Sequence, residues 1–181
     1  MFYQFSNTIE EIPQSKINDN QITAGYITIN ELEKCYKSFG FSKASVSSCK
    51  DDVRYFRSSI EVYDDYSFGT LKITDPDDSV SHEDYIAFYI KKNLLLLVEV
   101  QDDNSSIMAK FDASITRFQS KTITLEKLVY SFFNTLIDGD NKSLEDKEFR
   151  INKLEEYVLT NQATKDFNLN LHHMKKELLV L

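Results

Sequence analysis

The spacing of apolar residues changes near residue 124, and from there the chain follows a helical period. Apolar side chains recur every three or four positions, at Leu125, Leu128, Val129, Phe132, Phe133, Leu136 and Ile137. A stripe of this width is typical of a helix that packs one face on a protein core. The pattern predicts a helix that begins at about Thr124 and lies against the rest of the protein.

Beyond this stripe the apolar positions become sparser. They stand seven residues apart at Ile137, Leu144, Ile151 and Val158, with Leu154 on the same side. Such a heptad seam is typical of two long helices that pack along each other. Gly139 lies in the polar stretch between the two patterns and costs about 1 kcal/mol in a helix interior, so we expect a continuous but locally weakened helix. A second helix from about Thr164 would complete a helical hairpin.

The first part of the chain consists of shorter elements. Apolar and alternating residues predict strands at 1–5 and 25–29. Asn30 is a good N-cap for a following helix, and Gly40 is a good stop for it. A polar stretch at 43–52 predicts another short helix. The strand at 25–29 and the helix that follows it would form a β-to-α unit.

Further strands are expected at 53–56, 60–63, 66–73, 84–91 and 94–100. A two-residue turn at Lys92 and Asn93 would join the last two strands into a hairpin. Residues 94–98 are apolar without interruption, which indicates a strand covered on both faces in the centre of the sheet. A helix at 105–118 would cover that sheet.

Together these elements predict an α/β fold, an α/β/α sandwich with a mixed central sheet followed by a long helical hairpin. We expect the body to comprise residues 1–123 and the hairpin residues 124–181.

The charge of the chain restricts its partners. The net charge is -8 and the pI is about 4.9, which argues against a nucleic-acid interface and leaves cations as partners. Cys35 and Cys49 lack the spacing of metal ligands and are expected to be buried thiols in a reducing compartment. The longest apolar run, 94–98, is far shorter than the roughly 20 residues of a membrane span. We therefore expect a soluble, cytosolic chain.

Motifs for catalysis or nucleotide binding are absent from the sequence. Its four glycines allow neither a phosphate-binding loop nor a dinucleotide fingerprint. His82, His172 and His173 stand near no nucleophile in a recognisable pattern, and the last two point about 100° apart on a helix. We expect no catalytic residues and no enzyme activity.

Acidic residues are the remaining candidates for chemistry. A calcium loop starting at Asp138 fails because Lys142 and Ser143 occupy its fifth and sixth positions. Acidic pairs also occur at 51–52 and 64–65. Turns and solvated surface explain such pairs, and the alternative is a divalent cation held weakly by carboxylates and water.

Three runs of the sequence are similar to one family. They are LEKLVYSFFNTLIDGDNKSLEDKEFRINKLEEYVL at 125–159, IEVYDDYSFGTLKI at 60–73 and DYIAFYIKKNLLLLVEV at 84–100. In order and spacing they resemble the cytoplasmic part of CorA-type magnesium transporters, a family that includes bacterial zinc-transporting relatives. The likeness covers about two thirds of the chain.

The resemblance implies a cytoplasmic domain on the inner side of the cell membrane. In the family, that domain belongs to a pentameric channel and is followed by a stalk helix, two transmembrane helices and a Gly-Met-Asn motif. None of these parts is in the sequence, so we expect an excised domain or a shortened relative, in contact with a membrane only through a C-terminal region absent here.

The resemblance also implies a regulatory metal site. In the family, divalent ions bridge acidic residues of neighbouring cytoplasmic domains and favour the closed channel. Carried over by position, the ligands for Mg²⁺, or for another divalent cation, would be Asp138, Asp51 and Asp52; Asn134 replaces a further acidic residue.

Two other interpretations remain open. One is a soluble interaction module that binds another chain through the Ile151 and Val158 seam. The other is an acidic metal-dependent hydrolase, which would need carboxylates gathered in one cleft with a general base.

Overall fold

The computed structural model describes residues 1–50, 56–74, 83–118, 123–138, 140–160 and 167–180. Within it the chain forms two compact units. The first comprises residues 1–73 and 84–136, and the second comprises residues 74–83 and 137–181. The domain boundary expected after residue 123 stays a prediction.

The first unit is built on a mixed seven-stranded sheet. Its strands are β1 (Phe2–Phe5), β2 (Ile9–Glu11), β3 (Ile22–Thr28), β4 (Ser59–Val62), β5 (Ser67–Thr74), β6 (Glu83–Lys91) and β7 (Leu94–Gln101). The order across the sheet is β2-β1-β3-β7-β6-β5-β4. Strands β3 and β7 pair in parallel, whereas β1 with β2, β1 with β3, β4 with β5 and β6 with β7 are antiparallel. The predicted fold class is confirmed.

Strand β7 lies between β3 and β6, as its uninterrupted apolar sequence predicts. Leu95 and Leu97 face one core, while Leu96 and Val98 face the other, and all four are fully buried. Successive side chains of a strand point to opposite faces, so only a strand covered on both sides can hold this run. The predicted hairpin is also present, with Lys92 at a φ of 46° in its turn.

Helices cover both faces of the sheet. They are α1 (Ile29–Phe39), α2 (Lys43–Ser48), α3 (Ser106–Thr116) and α4 (Leu125–Leu136). Buried residues of α1 and α2 pack in one core, and those of α3 and α4 pack in the other. On α4, Leu128 and Phe132 are fully buried, and Phe133 meets Phe88 of β6 edge to face at 5.5 Å. The predicted packing of α4 on the body is confirmed.

The N-cap of helix α1 is Thr28, two residues earlier than predicted. Thr28 Oγ1 accepts a hydrogen bond from the Glu31 N–H at 3.3 Å, and Glu31 Oε2 accepts one from the Thr28 N–H at 2.8 Å. This is a capping box, which satisfies two backbone donors reciprocally. Asn30 as N-cap was therefore wrong, because strand β3 runs directly into the helix. Gly40 ends α1 in the left-handed region as predicted, at a φ of 73°.

The second unit contains two helices, α5 (Asp140–Leu159) and α6 (Phe167–Val180), which contact each other. This pair of helices, called the helical arm below, is thus present as predicted. The continuous helix from about Thr124 was wrong, because α4 ends at Leu136 and the next two residues are not helical. Lys110 Nζ donates to the Leu136 carbonyl at 3.3 Å, which satisfies a terminal carbonyl of α4.

Parts of the predicted elements lie outside the described residues: residues 51–52 of the helix at 43–52, residues 53–55 of the strand at 53–56, and the start of the last helix near residue 164. Among the helices that the structure does describe, none combines the length and apolar character needed to cross a bilayer.

Candidate metal site

Asp138 is the one predicted ligand whose position the structure describes. It follows the end of α4, in a turn, and its side chain is exposed. Carboxylate oxygens are the ligands that Mg²⁺ prefers, and Mg²⁺ typically binds one or two of them and keeps several waters. An exposed carboxylate in a turn suits that kind of binding, because it can approach the ion without burial of its charge.

Asp51 and Asp52, the other two predicted ligands, lie outside the described residues. The chain can be followed to Lys50, whose ammonium forms an ion pair with Glu33 of α1. In the described part of the chain, no group of three or more His, Cys, Asp or Glu side chains is arranged to hold a metal ion.

The residues just before Asp51 are anchored in the core by α2. Ser45 Oγ accepts a hydrogen bond from the Tyr89 hydroxyl at 3.2 Å, and the Ser42 N–H donates to the Tyr66 hydroxyl at 2.9 Å. The Cys49 thiol is fully buried and donates to the Ser45 carbonyl at 3.3 Å. Burial, and after it the neighbouring Cys49, raises the pKa of the Tyr89 hydroxyl well above its usual range. The hydroxyl therefore stays a neutral donor that fixes α2 to the sheet.

The two residues directly before Asp51 carry no carboxylate. Cys49 faces the core, as was expected for a buried thiol, and Lys50 carries a positive charge that pairs with Glu33. Neither residue can supply an acidic oxygen, which leaves Asp51 and Asp52 as the acidic residues that follow α2.

The structure also brings together two buried carboxylates that the sequence did not single out. Asp102 accepts hydrogen bonds from the N–H groups of Ile107 and Met108 at 3.3 and 3.1 Å, and from the Tyr26 hydroxyl at 3.1 Å. Asp102 therefore caps the first turn of α3, where a negative charge is favourable. The sequence signal that could have found it is an aspartate three residues before the helix predicted at 105–118.

Asp84, on β6, is the second of these carboxylates. Its Oδ2 accepts a hydrogen bond from Ser106 Oγ at 2.7 Å. Burial is the main reason that its pKa is raised, and the charge of Asp102 adds to the effect. Both carboxylates accept hydrogen bonds from residues in the first turn of α3, which identifies them as supports of that helix start.

Comparisons with known proteins agree with this architecture. The family model described as CorA-like Mg²⁺ transporter protein matches residues 28–181. No curated protein matches the chain. Among solved structures, the complete CorA magnesium transporter from Methanocaldococcus jannaschii is 16% identical with a TM-score of 0.70, over 99% of this chain and 57% of that one.

Two further similar structures are of a soluble or cytoplasmic domain rather than of a complete transporter. The soluble domain of CorA from Methanocaldococcus jannaschii is 16% identical with a TM-score of 0.68, over 99% of this chain and 72% of that one. The ZntB cytoplasmic domain from Vibrio parahaemolyticus is 14% identical with a TM-score of 0.65, over 99% of this chain and 71% of that one. At these identities the likeness shows the fold. The chain spans 57% of the length of the complete transporter.

Proposed function

Because the chain belongs to the CorA-like Mg²⁺ transporter family, we propose that it forms the cytoplasmic, divalent-cation-sensing part of such a transporter. The family match over residues 28–181 carries this proposal. The family is described as one of transporters rather than of an enzyme class. In such a transporter the cytoplasmic part would sense the cation, while ion conduction and membrane contact would belong to other parts.

The proposed regulatory site is formed by Asp138, Asp51 and Asp52, with Mg²⁺ as the ion and other divalent cations as possible substitutes. The sensing energy comes from carboxylate repulsion. Two carboxylates about 4 Å apart repel by about 4 kcal/mol at an effective dielectric of about 20, and a divalent ion between them reverses the sign. A difference of this size between two arrangements is sufficient for a switch.

Self-association completes the proposal. An ion that bridges carboxylates of neighbouring copies would stabilise the assembly, with the pentamer of the family as the proposed form. The excess of acidic residues, which gives a net charge of -8, supports cations as partners and disfavours nucleic acid. The cytoplasmic side of the cell membrane is the proposed location.

A second candidate function is a protein-interaction module that uses the helical arm. The observation that favours it is apolar exposure on the second unit. Leu144 and Val158, which share the heptad seam of α5, are both exposed. An exposed apolar helix face is typical of a binding surface. Association through this face would not depend on divalent ions, and this separates it from metal sensing.

Calorimetry with Mg²⁺ tests the leading proposal. We expect the wild-type chain to bind Mg²⁺ with measurable heat at millimolar concentration, and Asp138→Ala and the double variant Asp51→Ala/Asp52→Ala to bind more weakly. Asp146→Ala is the matched control, because it removes an exposed acid of α5 outside the proposed site. The absence of heat above the buffer blank in the wild type would contradict the proposal.

A sedimentation experiment tests the second candidate. Association that persists in EDTA and is lost in Val158→Lys would support the interaction module. Association that requires Mg²⁺ and is unaffected by Val158→Lys would count against it.

A further inference from the structure

Strand β4 ends the sheet and exposes two β-branched apolar side chains. It is the last strand in the sheet order, and in the part of the chain that the structure describes no strand pairs with its outer side. Ile60 is 70% exposed and Val62 is 82% exposed. Exposed apolar residues on a sheet edge are unusual, because such an edge is a template for pairing with another strand.

The backbone of β4 presents its free hydrogen-bonding groups at these same two residues. The Tyr63 N–H donates to the Tyr66 carbonyl at 2.8 Å, toward β5. In an antiparallel ladder, the residues that bond to one neighbour alternate with those that point away. Glu61 therefore bonds toward Phe68, its partner on β5. The N–H and C=O groups of Ile60 and Val62 consequently point outward.

The two apolar side chains also share one face of the sheet. Ile60 lies opposite Gly69, and a Cβ on that glycine would meet the Phe88 ring in the core of α3 and α4. Glu61 lies opposite Phe68, which belongs to the core of α1 and α2. Ile60 and Val62 therefore stand on the α3 and α4 side of the sheet, where their exposure shows that no described element covers them.

We propose that β4 pairs antiparallel with β4 of a second copy of the chain, about a two-fold axis that passes through Glu61. This register places Ile60 of each copy opposite Val62 of the other, as hydrogen-bonded pairs. The outward backbone groups of both residues are then satisfied, and the four apolar side chains meet on one face. The contact is isologous, because the same residues contribute from both copies.

The charges at the two ends of β4 support a second copy of the chain as the pairing strand. The same register brings the turn that contains Asp64 and Asp65 of one copy beside Arg57 of the other, at both ends of the contact. One feature opposes the pairing, since the two Glu61 side chains face each other across the axis. Like charges directly opposite on neighbouring strands weaken pairing modestly.

The size of the contact sets the strength to expect. Two paired strands of four residues bury far less than the roughly 1,200 Å² of a stable interface. Association should therefore be weak and visible only at high protein concentration.

Sedimentation equilibrium of the full chain in EDTA tests the proposal separately from metal sensing. We expect a concentration-dependent dimer that Val62→Lys weakens by roughly tenfold and Glu61→Gln strengthens by a few-fold. Ile9→Lys is the control, because it places the same charge on β2 at the opposite edge of the sheet. A wild type that stays monomeric at millimolar concentration, or an unaffected Val62→Lys, would overturn the proposal. Melting temperatures check that each variant is folded.

Disulfide formation tests the register in a Cys35→Ser background. Facing residues of a pair that is not hydrogen-bonded have Cα atoms about 4.5 Å apart, within the range of a disulfide. Glu61→Cys should therefore give a covalent dimer under copper–phenanthroline oxidation, and Val62→Cys should give much less. A covalent dimer from Ile60→Cys in preference to Glu61→Cys would place the axis elsewhere and refute this register.

Discussion

Gly69→Ala is expected to destabilise the first unit through a steric conflict with a core aromatic ring. A Cβ at residue 69 would lie 2.2 Å from Cζ of Phe88 and 2.5 Å from its Cε1. The Phe88 side chain is buried and is held edge to face against Phe133 at 5.5 Å. The ring would have to move by more than 1 Å to restore ordinary contact at about 3.4 Å, and Phe133 would have to move with it.

The magnitude follows from two opposing effects. Overpacking a dense core costs about 1–3 kcal/mol, and this contact is closer than those that a small adjustment relieves. Replacement of glycine in a strand returns about 0.5–1 kcal/mol. We expect a net loss of about 1–2 kcal/mol, which lowers the melting temperature of a chain of this size by roughly 2–8 °C.

The assay is urea unfolding of Gly69→Ala, Phe88→Leu and the double variant. Phe88→Leu alone should destabilise by leaving a cavity, but in the double variant the alanine methyl can use that space. The double variant should therefore lose at least about 1 kcal/mol less than the sum of the single variants. Ser67→Ala, on the same strand, is the control. Additive losses, or a stability of Gly69→Ala equal to wild type, would refute the packing argument.

Two further predictions concern the helix starts. Burial raises the pKa of Asp84 above its unfolded value, so its ionised form lowers the stability of the fold, and this cost disappears as the pH falls through the folded pKa. Asp84→Asn should therefore be more stable than wild type at about pH 7, with a smaller advantage at about pH 4. Urea titrations at the two pH values measure the difference. An advantage that grows toward acid pH would contradict this sign. Thr28→Ala removes the capping box with Glu31 and should lower the free energy of unfolding by about 1 kcal/mol in urea unfolding. Thr28→Ser should retain most of the stability, and equal losses in both variants would argue against the cap.

The parts of the fold that followed from the sequence are those set by local pattern. The uninterrupted 94–98 run identified the central strand, since only burial on both faces accommodates it. The stripe on α4 identified its buried face in the same way. Strand β2 was missed because all three of its residues are exposed, so no alternation marks it.

Other features depend on residues far apart in the chain. The break after Leu136 was not predicted, because the carbonyl at this end is satisfied by Lys110 of another helix. The position of β4 at an edge depends on the sheet order, which is a property of long-range pairing. For the site, the structure describes Asp138 as an exposed turn residue, while Asp51 and Asp52 lie outside the described residues and stay predictions.

Paramagnetic broadening by Mn²⁺, as a stand-in for Mg²⁺, tests the central claim most directly. In ¹H–¹⁵N spectra of the full chain, substoichiometric Mn²⁺ should erase the amide signals around Asp138 and around Asp51 and Asp52, and excess Mg²⁺ should restore them. Signals near Glu156 should persist, because this residue lies about 24 Å further along α5 than Asp140. Loss of signal centred on another acidic pair, such as Asp64 and Asp65, with the Asp138 region unchanged, would contradict the proposed metal-sensing site.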